Sequence, residues 1–447
     1  MSAATPGTAA GPVTGPARSF PRVGVRATRK ATVIAFLAWL FAVYDYILFG
    51  TLLPEMSTHF GWDSATASFV STLISVGTAI VALGVGPLVD RIGRRKGMIL
   101  TVAGTALASA ATAVTPGAGY LVGVRALGGL GLSEQAVNAT YLNEIYAVTE
   151  DEKIKKRRGF VYSLVQGGWP LGVLLAAAFV AVFLPLVGWR GCFLLAVFPA
   201  AVIALTRRGL KESPQFELEL SLRALRKEGR TDEAAALARS YGVEEQPKAP
   251  LAAIFRGTAL RNTLVLGLAW IVNWFGIQVF SVLGTTVLTE GKHVSFTGSL
   301  VMLIVINAVG YLGYVFHGWI GDRVGRRNVI GFGWIASGIF FTLTLAVAHG
   351  TFAVVALYSL GMFFLVGPYA ALLFYMGECY DTGCRATGTA FLNALSQPGA
   401  IVAGLIVTAL LASGTGWNTA ALLVGAIGTS LSGLVMFAAR KVETLHG

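Results

Sequence analysis

Charge is scarce in this chain. Asp, Glu, Lys and Arg together make up 13% of its 447 residues, whereas 55% are apolar and the mean hydropathy is +0.69. A soluble domain carries about twice that share of charge, so a soluble globular protein is excluded. Cysteine is scarce too: Cys192 falls in an apolar run, Cys379 and Cys384 flank a loop expected to be cytoplasmic, where thiols stay reduced, and all three read as small apolar fillers. No G-x-x-x-x-G-K-[ST] loop occurs, so ATP is not the direct energy source. The apolar stretches hold no metal-ligand or nucleophile cluster of the kind a membrane enzyme needs, and neither cofactor nor metal is expected.

What the chain has in quantity is long apolar sequence. Several runs exceed about eighteen residues, enough to cross a hydrocarbon core of about 30 Å as a helix, and a helix alone satisfies its own backbone there. Spans are expected near 31–53, 66–88, 98–114, 119–143, 159–184 and 188–206, then 261–288, 296–319, 328–347, 351–376, 385–411 and 416–438. The fold class expected is therefore an all-α membrane protein, with about twelve helices in two six-helix bundles, 31–206 and 261–438.

The remaining segments are polar. Residues 1–30, rich in Ala, Gly, Pro and Thr and carrying Arg18, Arg22, Arg26, Arg29 and Lys30, are expected to be a disordered tail. They do not read as a signal peptide, because the apolar run that follows is too long. The linker 207–260 shows Phe216, Leu220, Leu222 and Leu225 at helical spacing among charges, which predicts amphipathic helices; 439–447 is a second tail. With the N-terminus inside, every Lys and Arg except Arg125, Arg190 and Lys292 falls on the cytoplasmic side. Anionic lipid headgroups then account for the net charge of +12, and no nucleic-acid partner is implied.

The two halves repeat one another. Gly86-Pro-Leu-Val-Asp90-Arg91-Ile-Gly93-Arg94-Arg95-Lys96 follows the second span, and Gly318-Trp-Ile-Gly-Asp322-Arg323-Val-Gly325-Arg326-Arg327 follows the eighth, with the two aspartates 232 residues apart. Tyr141-Leu-Asn-Glu144 with Arg158 recurs as Tyr375-Met-Gly-Glu378 with Arg385, at an offset of 234 for Tyr and Glu. Parallel repeats of six spans place a substrate site near the midplane between them.

The G-x-x-x-D-R-x-G-R-R-K motif resembles the signature of the major facilitator superfamily, over essentially 31–440. Arg125-Ala-Leu-Gly128-Gly129-Leu-Gly131 in the fourth span, Glu212-Ser213-Pro214 after the sixth, and the spacing of Glu134, Tyr141 and Glu144 are most similar to its sialate:proton and metabolite:proton symporters, relatives of the sugar porters. The loop from Glu150 to Arg158 is longer and more charged than that pattern.

Ionisable groups inside hydrocarbon mark ion or substrate pathways, and Asp45, Arg125 and Glu134 stand out. Asp45 lies nine residues before Pro54, roughly 13 Å deep at helical rise, and Arg125 lies at a similar depth in the fourth span. Facing each other, they would hold Asp45 ionised, and separation would favour its protonation. The resemblance implies the same, since such symporters use an acid in helix one and an Arg in helix four as a proton-coupling pair. A static pair locking two helices is the alternative. Glu134 is about half a turn out of phase with Arg125; it reads equally as a substrate ligand, a second proton site or a helix–helix contact.

Asp90, Arg94, Arg95 and Glu144, mirrored by Asp322, Arg326, Glu378 and Arg385, are expected to form an inner gate. Gln278 holds the place in the seventh span that the repeat gives to Asp45, with Asn273 nearby. Tyr44, Trp169, Trp274, Tyr311, Tyr369, Asn393 and Gln397 complete the candidate substrate contacts, and Arg125 is expected to receive a carboxylate once Asp45 is protonated. His317 reads as structural. The expected function is proton-driven symport of a small organic acid by a functional monomer. A sugar or zwitterion symporter and a drug:proton antiporter are the alternatives. Helix five, Gln166-Gly-Gly-Trp-Pro170-Leu-Gly172, lacks the Gly-Pro-x-x-Gly-Gly run typical of the antiporters.

Overall fold

The computed structural model describes residues 20–242, 251–381 and 384–441, apart from the side chains of Asp90, Asp322, Leu373 and Ala386. Nine helical stretches among the described residues are long and apolar enough to cross a membrane. One of them, Arg158–Arg207, contains two spans, because Gly188 leaves helical geometry at φ 66°. Two further helical columns, one starting on Arg94-Arg95-Lys96 and one broken into short pieces, complete about twelve. The molecule is a multi-pass all-α membrane protein.

Span one is Val25–Phe60, span two Ser64–Ile92 and span three Arg94–Ala113. Span four, 118–147, is made of Ala118–Ala126, Gly128–Leu132 and Glu134–Ala147. Spans five and six occupy 158–187 and 189–207. Span seven, 257–291, winds into π-helical turns at Ile277–Val282 and Val287–Gly291. Span eight is Phe296–Val324, span nine Arg326–Ala346, span ten 350–378, span eleven 385–412 and span twelve 417–436.

Small residues let the spans approach, as expected where lipid supplies no hydrophobic drive between helices. A side chain at Gly129 would strike the Thr78 carbonyl of span two, and one at Gly131 would strike Thr105 of span three. The glycine motif of span four is thus a packing seam. Gly50 of span one lies against the Val282 carbonyl of span seven, and Thr408 of span eleven donates to Ser68 of span two at 2.9 Å. These contacts close the two halves on the face away from the basic turns. Toward the basic face, Ile80 and Leu83 of span two and Asn393 of span eleven are exposed.

Span one starts earlier than hydropathy suggests. Its first turn, Val25 to Lys30, lies within residues expected to be disordered, and ahead of it Val23 pairs with the loop after span four. Val23 N–H donates to Val148 O at 3.0 Å, Glu150 N–H to Val23 O at 2.9 Å, and the Thr28 and Thr149 hydroxyls meet at 2.7 Å. The charged loop has an order of its own. Asp151 caps the short helix Glu152–Lys156 and accepts from Arg29 Nε at 3.1 Å. In the linker, Ser213 and Pro214 supply the N-cap and first position of Pro214–Lys227, which packs on Thr231–Ser240 through Leu218, Leu222, Ala234 and Ala238.

Candidate functional site

Three buried polar clusters stand out among the described residues. In the first, Arg125 of span four meets Asp45 of span one. Arg125 Nη1 lies 3.3 Å from the Asp45 carboxylate and Nη2 donates to the Asp45 main-chain carbonyl at 2.9 Å. Ser109 of span three donates to the same carboxylate and lies 3.4 Å from Arg125 Nη1. All three side chains are buried. A bare charge here would cost several kcal/mol, which the ion pair and its hydrogen bonds offset in part. On the flank of Tyr44 and Asp45, walled by Val102, Thr105 and Ala200, is a cavity of about 10 Å³, room for about one water.

The second cluster corrects the sequence reading, in which the sixth span ends at 206 and Arg207 falls on the cytoplasmic side. Arg207, the last residue of span six, has no exposed surface, and neither has Glu134. Arg207 Nη1 donates to Glu134 Oε2 at 2.9 Å and to Met98 O at 2.6 Å, and Nη2 donates to Glu134 Oε1 and to Asn138 at 3.1 Å. Thr101 donates to Glu134 at 2.5 Å, and Asn138 donates to Ala35 O at 3.0 Å. Hydropathy puts Arg207 at the headgroups because the apolar run stops there; its bidentate acid partner draws it inward. Glu134 and Arg125 have separate partners, and Glu134 is taken up in a contact among spans one, three, four and six.

At the basic face, Arg94 meets Glu144 at 3.3 Å and Glu219 of the linker at 3.8 Å, while Arg326 pairs with Glu378. The Arg94–Glu144 and Arg326–Glu378 pairs each lie within one half of the molecule. Arg95 turns elsewhere than to Glu144. Its N–H donates to Glu212 at 3.1 Å and its Nη2 to Arg208 O at 2.6 Å. Glu144 also accepts from Ser213, the cap of the first linker helix. Arg385 donates to Tyr380 O at 3.4 Å. The side chains of Asp90 and Asp322 lie outside the described residues. His317 contacts its own helix, with Nδ1 2.8 Å from Gly313 O.

The third cluster joins the halves. Ring centroids run from Trp39 to Trp169 (6.1 Å), Trp169 to Trp274 (6.0 Å), Trp274 to Trp270 (6.2 Å) and Trp270 to Tyr369 (5.0 Å). Trp169 of span five donates to Ser281 of span seven at 3.0 Å, and Tyr369 of span ten donates to Asn273 Oδ1 at 2.5 Å. Around these rings buried polar atoms have no protein partner: Asn273 Nδ2, the indole nitrogens of Trp270 and Trp274, and both amide atoms of Gln278 and of Gln397. An orphaned buried polar group costs about 1–3 kcal/mol, so a concentration of them points to a site completed by something else.

Comparison with known proteins agrees with this architecture. The sequence profile of the Major Facilitator Superfamily matches residues 34–316. The chain belongs to that superfamily. It is a membrane transporter, and not an enzyme. It is similar to a niacin transporter of Acinetobacter baylyi, 24% identical over 86% of this chain and 87% of the relative. It is 28% identical to a 4-hydroxybenzoate transporter of Pseudomonas aeruginosa over 92% and 93% of the two chains. A gallate transporter of Pseudomonas putida is 28% identical over 86% of each.

Within this facilitator fold, the sequence-named contacts divide. Asn273, Trp274, Trp169 and Tyr369 come together in the aromatic cluster, with Gln278 on the same turn of span seven as Ser281. Gln397 is buried in span eleven, two residues before Gly399, which packs on Trp274. Tyr44 instead packs edge-on against Phe179 at 5.3 Å, inside the first half. Tyr311 covers Gly167, and Asn393 is exposed. Sequence reasoning missed Ser109, Arg207, Trp39, Tyr46 and Trp270. Serines and tryptophans are common in membrane helices, and only their neighbours mark these.

Proposed function

We propose that this transporter carries a small organic acid together with protons, as a monomer in the cell's inner membrane with both termini in the cytoplasm. The observation that carries the reading is the buried Asp45–Ser109–Arg125 cluster beside an aromatic cluster with unpartnered amides. A carboxylate buried against one guanidinium and one hydroxyl can exist in two protonation states as the helices around it shift, which is what a proton carrier requires. The relatives named for niacin, 4-hydroxybenzoate and gallate handle small aromatic acids, and a row of indoles suits such rings. The asymmetric placement of Lys and Arg supports the orientation. Within the superfamily, the motifs of span four and of the linker favour the metabolite:proton symporters.

Mechanistically, Asp45 would take a proton while its cluster is open to the outer side, leaving Arg125 uncompensated and the region attractive to an anion. Rocking of the halves then exposes the loaded site to the cytoplasm. Proton loss restores the Asp45 charge and lowers the affinity for the acid, so release of the one favours release of the other.

Uptake into proteoliposomes tests this. Under an inward proton gradient, 4-hydroxybenzoate, gallate or niacin should accumulate, and a protonophore should collapse the accumulation. Accumulation of neutral sugars with none of the acids would refute the substrate class, and acid uptake that ignores the protonophore would refute proton coupling.

A further inference from the structure

Resting on that reading, we propose that the substrate carboxylate is held by neutral N–H donors inside the tryptophan cluster, while Arg125 stays with Asp45 throughout. The ligand that fits is a planar aromatic monocarboxylate, its ring against the indoles and its anionic end on the amide and indole nitrogens.

Arg125 is already committed. Its two terminal nitrogens hold the Asp45 carbonyl, the Asp45 carboxylate and Ser109, and the main-chain carbonyl is an acceptor that protonation of Asp45 does not remove. Of its nitrogens only Nε lacks a partner, and further unclaimed donors lie in the tryptophan cluster. Asn273, Gln278, Trp270 and Trp274 are all more than nine-tenths buried, and each has a side-chain nitrogen without a partner. The Asn273 amide is oriented by Tyr369, which donates to its oxygen, so that its nitrogen is the end left to offer. Trp169 serves as a contrast, since its indole nitrogen is used by Ser281. The open groups are thus mainly donors, the polarity that suits a carboxylate. The free oxygens of Gln278 and Gln397 could accept from a ring hydroxyl.

The two sites are neighbours without sharing atoms. Tyr46, the residue after Asp45, meets Ser75 and places its ring 6.3 Å from Trp169, between the ion pair and the indoles. In a medium of low dielectric, a guanidinium whose partner has been protonated acts on an anion across such a gap. Proton and anion then load as an electroneutral sum.

Titration calorimetry of the purified full-length transporter with 4-hydroxybenzoate, at one mildly acidic and one mildly alkaline pH, tests the assignment. Trp274→Phe, which keeps an aromatic ring at the position and loses the N–H, and Asn273→Leu should each weaken binding roughly tenfold, the loss of one hydrogen bond to a charged group. Asp45→Asn combined with Arg125→Gln, a charge-neutral pair, should keep Kd within about threefold of the wild-type value at alkaline pH and abolish the pH dependence. Melting temperatures of the variants separate lost binding from lost folding. If the paired variant loses binding by about a hundredfold or more, or if Trp274→Phe and Asn273→Leu both bind like wild type, the assignment is overturned. A wild-type protein that binds none of the three acids overturns the function proposed above, and is told apart because no variant is then needed.

Discussion

Arg125 holds Asp45 by its main-chain carbonyl, at 2.9 Å, as well as by its carboxylate, at 3.3 Å. The grip on span one therefore persists when the carboxylate loses its charge, and protonation changes the electrostatics of the cluster without dismantling it. Asp45→Asn should accordingly fold, bind substrate and support exchange of labelled for unlabelled acid, yet fail to accumulate it against a gradient. Counterflow and proton-driven uptake, measured on the same proteoliposomes, check this. Concentrative uptake by Asp45→Asn would remove Asp45 from proton coupling.

The Glu134–Arg207 pair is wholly buried. Glu134→Ala leaves a guanidinium uncompensated and should destabilise the protein by roughly 3–5 kcal/mol. Joint replacement by Met and Leu removes both charges at similar volume and should recover most of that loss. Thermal unfolding in detergent discriminates, and a double variant no more stable than the single would mean that the pair does more than neutralise itself.

Glu144 and Glu378 occupy equivalent places in the repeat, but among the described residues Glu144 alone is joined to the linker, accepting from Ser213 while Gln215 donates to its carbonyl at 3.2 Å. Glu144→Gln should raise hydrogen exchange in Pro214–Lys227 by about tenfold, the loss of one charge-assisted bond of about 1.5 kcal/mol. Glu378→Gln should leave that helix unchanged. Equal effects of the two substitutions would contradict the asymmetry.

The strap formed by Val23 to Arg29 depends on Asp151. Burial works to raise the pKa of this carboxyl, but hydrogen bonds from the Ile154 N–H, Arg29 and the Lys153 N–H together hold it below the ordinary carboxylate range. A depressed folded-state pKa gives stability that is fully present above the unfolded value of about 3.9 and is lost as pH falls through the folded one. The strap should thus be unaffected by pH down to about 4 and loosen below it, whereas Asp151→Asn should loosen it at neutral pH. Protease cleavage ahead of span one reports both. Cleavage of Asp151→Asn at the wild-type rate would show that the strap is held without the ion pair.

The sequence alone determined the membrane class, the repeated halves and the approximate limits of the spans, because hydropathy and helical rise act on each residue independently of its neighbours in space. It also singled out Asp45 and Arg125, since two opposite charges at one depth are conspicuous in a chain with so few. Tertiary structure decided which groups are paired and which are left over. Arg207 was assigned to the surface by the end of its apolar run, and only the approach of Glu134, Asn138 and Met98 from spans three and four makes it an interior cation. Ser109 is one hydroxyl among many until span one is placed against it. Asn273 and Gln278 are two of several polar residues in a largely apolar span, and only the packing shows that Tyr369 takes one amide oxygen and leaves the nitrogens open. A site in a helical membrane protein is made from side chains on several spans. Its composition is written in the rotation of each helix about its axis, which packing sets and local sequence does not.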